Sequence, residues 1–255
     1  MILTDTHTHL YYETDPGKLS GLMQRSLENQ VRRLFLPNVD SKSIPLVFGL
    51  AQQYPQHCFP MLGLHPCDVK HDFREELAYI QKEIGLRKIY AIGEIGIDLY
   101  WDKTTLAIQQ EAFRTQIGWA KQMNLPIVIH CREAFDEIFE ILDELKDDQL
   151  RGIFHCFTGN AEQAEKVIGL GFYLGIGGVL TYKNSGLDKV VQGIALAHLV
   201  LETDSPYLTP VPFRGKQNES SYLVYVAQKL ADLKQIPIEE VAEITTRNSE
   251  RIFGI

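Results

Sequence analysis

The chain has 255 residues, of which 45% are hydrophobic and 23% charged, and a formal net charge of −8. This length and mix fit one barrel-sized globular unit with enough apolar material for a core, so neither disulfides nor a metal is needed merely to stabilise the fold. The negative charge excludes a broadly basic surface for polyanions. Any contact with nucleic acid therefore requires local positive charge, such as bound metal ions.

Cysteine usage and the first residues bear on the compartment. The four cysteines contain no CxxC pair and do not form a disulfide framework in a chain of this size. The N-terminal stretch MILTDTHTHL lacks the basic and long apolar regions of a secretory signal. No run of about 18 apolar residues is present, so we expect no membrane contact. These features predict a reduced, cytoplasmic protein.

Short apolar segments alternate with longer amphipathic ones along the whole chain. Eight segments have the length and two-sided apolar character of buried parallel strands, namely Ile2–Thr4, Arg33–Leu36, Phe59–Gly63, Ile89–Ile92, Ile127–Ile129, Gly152–Phe154, Tyr173–Ile176 and Leu199–Leu201. Between them, Gln109–Met123 and Ala134–Leu145 carry apolar residues on one helical face. The stretch Glu219–Ile255 predicts two helices, the second beginning near Ile238.

Eight strand–helix units imply a parallel sheet and favour its closure into a single (β/α)8 TIM barrel spanning residues 1–255. The alternative is an open, doubly wound sheet. No GxGxxG follows the first strand, which disfavours the dinucleotide-binding form of that alternative. Gly175, Gly177 and Gly178 cluster at the end of the seventh strand and predict a tight turn with close backbone approach, not a phosphate cradle.

Histidines and carboxylates follow the predicted strands at the ends where chemistry gathers in parallel barrels. They are His7, His9, His65, Glu94, His130, His155 and Asp204. Consecutive members lie about 25 to 36 residues apart where one unit separates them, and roughly twice as far where a strand is skipped. A barrel imposes this spacing on residues at successive strand ends. Converging imidazoles and carboxylates suit Zn²⁺, Mn²⁺ and similar ions.

Three parts of this series have features that favour metal binding. In extended chain His7 and His9 point to the same side and can bind one ion, although an isolated HxH also fits two ordinary loop residues. Glu94 lies in an apolar run, where a carboxylate is costly unless it is paired or metal-bound, and its two oxygens can bridge two ions. Asp204 follows the last strand and can both hold a metal and accept a proton from water.

Other polar residues near these positions are predicted to have structural or lesser roles. Asp98 and Asp102 are interpreted as loop or capping residues beyond the fourth strand. Glu202 is the weaker ligand candidate because it lies deeper in its strand than Asp204 does. Adjacent strand residues face opposite ways, so Cys131 and Cys156 are assigned to packing.

Together these motifs resemble those of the TatD-type metal-dependent deoxyribonucleases, a branch of the amidohydrolase-like barrels. The matching segments are THTHL after Asp5, GLHP at 63–66, IGEIGID at 92–98, PIVIHCREA at 126–134, FHCFTG at 154–159, ETDSPYLTP at 202–210 and PFRGKQNE at 212–219. Two positions depart from the family pattern. Tyr11 stands where the family has Asp, and we expect this to change substrate contacts at the mouth more than the metal site. Ser220 stands where the family has Pro, which predicts a less rigid loop.

The resemblance implies a site for two divalent ions, Mg, Mn or Zn. In it His7 and His9 would bind one ion, while His130 and His155 would bind the second. Glu94 would bridge the two ions.

The resemblance also implies roles for the residues around these ions. Asp204 would complete the first metal site and act as the catalytic base. His65 would contact the scissile phosphate or stabilise its charge. Arg214 and Lys216 would approach the phosphate backbone.

The implied function is a metal-dependent DNase that hydrolyses phosphodiester bonds, as a 3′-5′ exonuclease on single strands or frayed 3′ ends. We expect a monomer. Tyr11, Tyr12 and Tyr207 are candidates for stacking on bases. A rival is a small-molecule amidohydrolase, esterase or phosphotriesterase-like enzyme, which Glu94 in place of a carboxylated lysine disfavours. Another is a binding protein with a vestigial metal site, and the complete ligand set argues against that.

Overall fold

A computed structural model describes all 255 residues, and in it eight strands alternate with helices. The strands are β1 Leu3–Asp5, β2 Val31–Pro37, β3 Cys58–Met61, β4 Ile92–Asp98, β5 Ile127–Arg132, β6 Gly152–Phe154, β7 Phe172–Ile176 and β8 Leu199–Leu201. The helices are α1 Pro16–Glu28, α2 Ile44–Gln53, α3 Phe73–Ile84, α4 Leu106–Met123, α5 Phe135–Leu145, α6 Ala161–Gly169, α7 Leu187–Gly193, α8 Leu223–Lys234 and α9 Ile238–Phe253. None of the helices combines the length and apolar character that crossing a bilayer requires.

All strands pair in parallel and in chain order, as β1–β2–β3 and β4–β5–β6–β7–β8. Single bridges join the two sheets, one between Leu62 and Ile92 and one between Thr8 and Ser205. The chain thus forms the predicted (β/α)8 barrel and not the open doubly wound sheet. Its hydrogen-bonded ladder is interrupted at the two seams, so the closure is not continuous.

A small apolar cluster fills one layer of the barrel interior. It takes residues from several strands and two from the end of α9, namely Phe35, Met61, Ala91, Val128, Ile153, Val200, Ile252 and Phe253. Side chains two positions apart on a strand point to the same side, so the residues two positions later also face the interior. Three of these later positions hold His130, His155 and Glu202. The strand period therefore stacks a polar layer on an apolar one.

The fourth strand lies later than the sequence predicts, because β4 is Ile92–Asp98 and not Ile89–Ile92. Its pairing with β5 shifts register between Ile92 and Ile95, and Gly96 has a φ of +142°. A Cβ on Gly96 would lie 2.1 Å from the carbonyl oxygen of His130, so only glycine lets the two strands approach. Glu94 is consequently inside a strand. The other seven strands overlap their predicted segments, and α9 begins at the predicted Ile238.

Candidate metal centre

A cavity of about 660 Å³ opens where the carboxyl ends of the strands meet. Its lining includes six of the residues predicted to form the site: His9, His65, Glu94, His130, His155 and Asp204. The seventh, His7, is fully buried, with its ring stacked 3.7 Å from that of His155. The structure therefore brings together all of the histidines and carboxylates that the sequence analysis placed at strand ends.

The two carboxylate oxygens of Glu94 face different pairs of histidines. Oε2 lies 3.2 Å from His7 Nε2 and 3.7 Å from His9 Nε2. Oε1 lies 2.8 Å from His130 Nδ1 and 3.1 Å from His155 Nε2. Two ligands that each sit about 2.1 Å from one ion are about 3.0–3.4 Å apart. Each oxygen with its histidine pair therefore has close to the spacing of a metal site, and Glu94 has the geometry of a bridge.

Asp204 lies on the Oε2 side of Glu94. Its Oδ1 is 3.7 Å from His7 Nε2 and 3.5 Å from His9 Nε2. The residue has a left-handed φ of +55°, and its N–H donates to the carbonyl oxygen of His7 at 2.9 Å. Such backbone strain persists only where surrounding contacts enforce it. These contacts hold the carboxylate beside the HxH pair.

The charges at the centre suit a cation. Burial would raise the pKa of Glu94, but His155, His65 and His7 outweigh it, so this pKa lies well below its usual range. Burial likewise would raise the pKa of Asp204, and the neighbouring histidines lower it. Both carboxylates are therefore ionised.

The protonation state of His7 also fits that of a metal ligand. Burial, followed by the neighbouring His155, lowers the pKa of His7, which leaves the imidazole neutral with a free lone pair. Its Nδ1 is buried without a hydrogen-bond partner. A neutral imidazole is the form that binds metals. The donor set thus fits the ions that the sequence implies.

Two carboxylates stand behind the histidines on the Oε1 side. His130 Nε2 lies 2.8 Å from Asp98 Oδ2, and His155 Nδ1 lies 3.1 Å from Glu202 Oε1. Such partners fix the orientation of a metal-binding imidazole and raise its basicity. Burial opposes protonation of both histidines, but the carboxylates prevail: the pKa of His130 is raised and that of His155 is raised well above its ordinary value.

Asp98 and Glu202 therefore have roles that differ from the predicted ones. Asp98 is the buried last residue of β4, and it reaches His130 while also capping the N–H of Tyr100 at 2.9 Å. Glu202 is fully buried and faces His155 from behind, not as a ligand in the cavity. A Cβ on Gly175 would lie 2.3 Å from Glu202 Oε2, so the predicted close approach at this glycine makes room for the carboxylate. The sequence shows only a carboxylate directly after the apolar run Leu199–Leu201, and it does not indicate that His155 is the partner of this carboxylate.

Tyr11 departs from its expected location. Its side chain is buried, and its hydroxyl lies 2.9 Å from His9 Nδ1. The substitution for Asp therefore acts directly on a candidate ligand, whereas Tyr12 and Tyr207 line the cavity. Ser220 is also buried, and its hydroxyl donates to Thr8 Oγ1 at 3.3 Å.

His65 presents a donor to the centre. The N–H of Cys67 donates to His65 Nδ1 at 3.1 Å, so a neutral imidazole carries its proton on Nε2. That Nε2 lies 3.4 Å from Glu94 Oε1 and 3.3 Å from His130 Nδ1. The position and the proton on Nε2 suit a hydrogen bond to substrate.

Arg214 and Lys216 do not line the cavity. Both are exposed, with the guanidinium of Arg214 stacked 4.0 Å from the ring centre of Tyr182 and the ammonium of Lys216 5.6 Å from that of Phe213. The structure therefore does not bring these two predicted substrate-binding residues to the metal centre.

Cys131 and Cys156, which follow the two histidines, both line the cavity, and Cys131 also packs against the hydrophobic core, as its assignment to packing predicts. Cys156 has a left-handed φ of +46°, so the alternation of a strand has already ended there. Burial raises the pKa of the Cys131 thiol to about 12 and that of Cys156 higher still. In the absence of a metal ion both thiols are therefore protonated. The sequence analysis also missed Trp101 and Arg132, which lie on the cavity wall.

Comparison with known proteins places this geometry in a family. Residues 4–254 match the family described as TatD related DNase. The uncharacterized metal-dependent hydrolase YabD of Bacillus subtilis (strain 168) is 42% identical over 255 residues, covering 100% of both chains. The uncharacterized metal-dependent hydrolase YcfH of Escherichia coli (strain K12) is 33% identical over 100% of this chain and 97% of its own.

A solved structure agrees with these relatives. The crystal structure of YJJV, a TatD homolog from Escherichia coli K12, superposes with a TM-score of 0.93 at 29% identity, covering 99% of this chain and 98% of that one. The match confirms both the barrel and the resemblance drawn from the motifs. The chain therefore belongs to the TatD-related DNase family of metal-dependent hydrolases.

Proposed function

We propose that the protein is a DNase that hydrolyses phosphodiester bonds with two divalent ions, as a 3′-5′ exonuclease on single strands or frayed ends. The proposal rests on the orientation of the Glu94 carboxylate: one oxygen faces His7 and His9, and the other faces His130 and His155. A bridging carboxylate between two histidine pairs suits in-line displacement at phosphorus, where attacking and leaving oxygens both need stabilisation.

Divalent ions held by these residues would polarise the phosphate oxygens and lower the pKa of the attacking water. Asp204, which the histidines keep ionised, accepts the proton of that water. His65 donates a hydrogen bond through its Nε2–H to a non-bridging phosphate oxygen and stabilises its charge. Asp98 and Glu202 orient the imidazoles of His130 and His155 through hydrogen bonds.

The size and charge of the cavity support a short stretch of substrate. A volume of about 660 Å³ accommodates a nucleotide with its neighbour only in part. With a net charge of −8, the outer surface does not favour a long duplex, so attraction is concentrated at the metal centre. Tyr12 and Tyr207 on the cavity wall supply faces for bases.

The test is a time course on oligonucleotides labelled at either end, single- or double-stranded, with protein stripped by chelator and reloaded with Mg²⁺, Mn²⁺ or Zn²⁺. We expect stepwise shortening from the 3′ end that requires added metal and is faster on single strands. The exposed Asp102→Asn serves as a matched control for Asp204→Asn. Full activity in excess chelator would falsify the proposal. Turnover of small esters or amides without cleavage of DNA would assign the rival function instead.

A further inference from the structure

One part of the cavity rim combines exposed aromatic rings with a cation. Tyr100 and Trp101 follow β4, and Arg132 ends β5. The guanidinium carbon of Arg132 lies 3.7 Å from the ring centre of Tyr100 and 5.5 Å from that of Trp101. Trp101 is 71% exposed, although it and Arg132 both line the cavity. A large aromatic side chain left open beside a polar cavity marks a contact surface for a ligand.

Arg132 lacks any partner of opposite charge. Six arginines form ion pairs with carboxylates: Arg25, Arg33, Arg74, Arg87, Arg114 and Arg247. Arg132 forms neither an ion pair nor a side-chain hydrogen bond, and its neighbour Glu133 pairs with Lys103 at 3.6 Å instead. In a chain with 33 acidic residues, this leaves the five N–H donors of one guanidinium open to an anion.

The backbone sets this guanidinium at a defined distance from the chemistry. Arg132 follows the candidate ligand His130 by two residues on β5, so the two side chains leave the strand on the same side. Two residues along a strand are about 6.6 Å apart. An anion on Arg132 therefore lies next to the reacting phosphate, and stacking on Tyr100 holds the guanidinium there without a carboxylate that would compete.

We propose that Tyr100, Trp101 and Arg132 form a nucleotide subsite beside the metal centre. Trp101 stacks on a base next to the scissile bond, and Arg132 binds a phosphate that is not cleaved. Tyr100 positions the guanidinium. The subsite rests on the proposed function, because it recognises the neighbouring nucleotide of the same substrate chain.

The test separates binding from cleavage. Anisotropy of a labelled single-stranded DNA hexamer with metal-loaded protein, in the slow Asp204→Asn background, measures binding apart from turnover for Trp101→Ala, Arg132→Ala and Arg132→Lys. Loss of one stacking partner is worth about 5- to 150-fold in affinity, so we expect weakening of that order for Trp101→Ala. Arg132→Lys should restore part of the loss in Arg132→Ala. Tyr79→Ala, which removes an exposed aromatic ring from α3, is the matched control and should bind normally.

A kinetic comparison completes the test. KM and kcat are measured on the hexamer and on methyl p-nitrophenyl phosphate, a diester with no neighbouring nucleotide. We expect the KM for the hexamer to rise about tenfold or more, with a several-fold smaller effect on the minimal diester. Unchanged hexamer binding, or equal losses on both substrates, overturns the subsite. Wild-type protein that binds the hexamer but never cleaves it refutes the proposed function, and the binding comparison still decides the subsite.

Discussion

Replacement of Glu202 by Gln tests whether His155 and Glu202 hold the second ion of the proposed two-metal site. The carboxylate is fully buried, and its Oε1 takes both His155 Nδ1 at 3.1 Å and the N–H of Cys156 at 2.5 Å. Gln has the same shape, and its single oxygen would keep these contacts. Its NH₂ would then face Gly175, where Oε2 has no partner. The change therefore removes charge behind the imidazole while leaving the fold in place.

The magnitude follows from the role of such partners. Loss of the group behind a metal-binding histidine costs about 10- to 100-fold in metal affinity, or about 1.4–2.7 kcal/mol. Burial lowers the pKa of His155, whereas Glu94 and Glu202 raise it, so removing Glu202 makes the imidazole less basic. We expect one of two ions to bind about 10- to 100-fold more weakly and the other to bind as before.

The assay is competition with a chromophoric chelator, with ions per chain counted at each free concentration. Glu165→Gln, an exposed change of the same chemistry on α6, is the control and should titrate like the wild type. If folded Glu202→Gln protein binds two ions with wild-type affinity, then Glu202 does not support His155 and the reasoning is refuted.

Three further outcomes are expected. Asp204→Asn should lower kcat about 100- to 10,000-fold with little change in thermal stability, and a near-normal kcat would remove its role as base. Metal affinity should fall as pH falls, by up to about tenfold per pH unit for each protonated ligand. The reason is that the pKa values of metal-free His130 and His155 are raised, so protons compete with the ion. Equilibrium dialysis between pH 6 and 8 measures this affinity, and an affinity that does not change with pH would contradict the prediction. Gly175→Ala should destabilise the fold by about 1–3 kcal/mol in chemical denaturation, because its Cβ would collide with Glu202, whereas Gly193→Ala has no atom within 4 Å and should not be destabilised by such a collision.

The architecture and the innermost residues of the centre followed from periodicity. Apolar strands of period two, repeated with the spacing of strand–helix units, placed His130 and His155 at strand ends. In the structure His155 follows β6 directly, His130 lies two residues before the end of β5, and both line the cavity. The bounds of β4 did not follow, because a register shift and Gly96 let the strand continue through residues that read as a loop.

The carboxylates that support the candidate ligands could not be predicted from a single sequence. Asp98 and His130 are 32 residues apart, and Glu202 and His155 are 47 apart, so only strand register brings them into contact. Tyr11 lies in the short 3-10 helix Leu10–Tyr12 that follows His9, and this turn brings its hydroxyl back to His9 instead of the mouth. Propensity and spacing identify which residues lie at strand ends, but they do not specify which side chains touch across strands.

The central claim is that Glu94 bridges two metal sites. Anomalous diffraction from crystals soaked in Zn²⁺ measures the number and positions of the ions directly. The account predicts two ions per chain, one beside His7, His9 and Asp204 and one beside His130 and His155, with Glu94 between them. A single ion, or two ions that do not share Glu94, would contradict it.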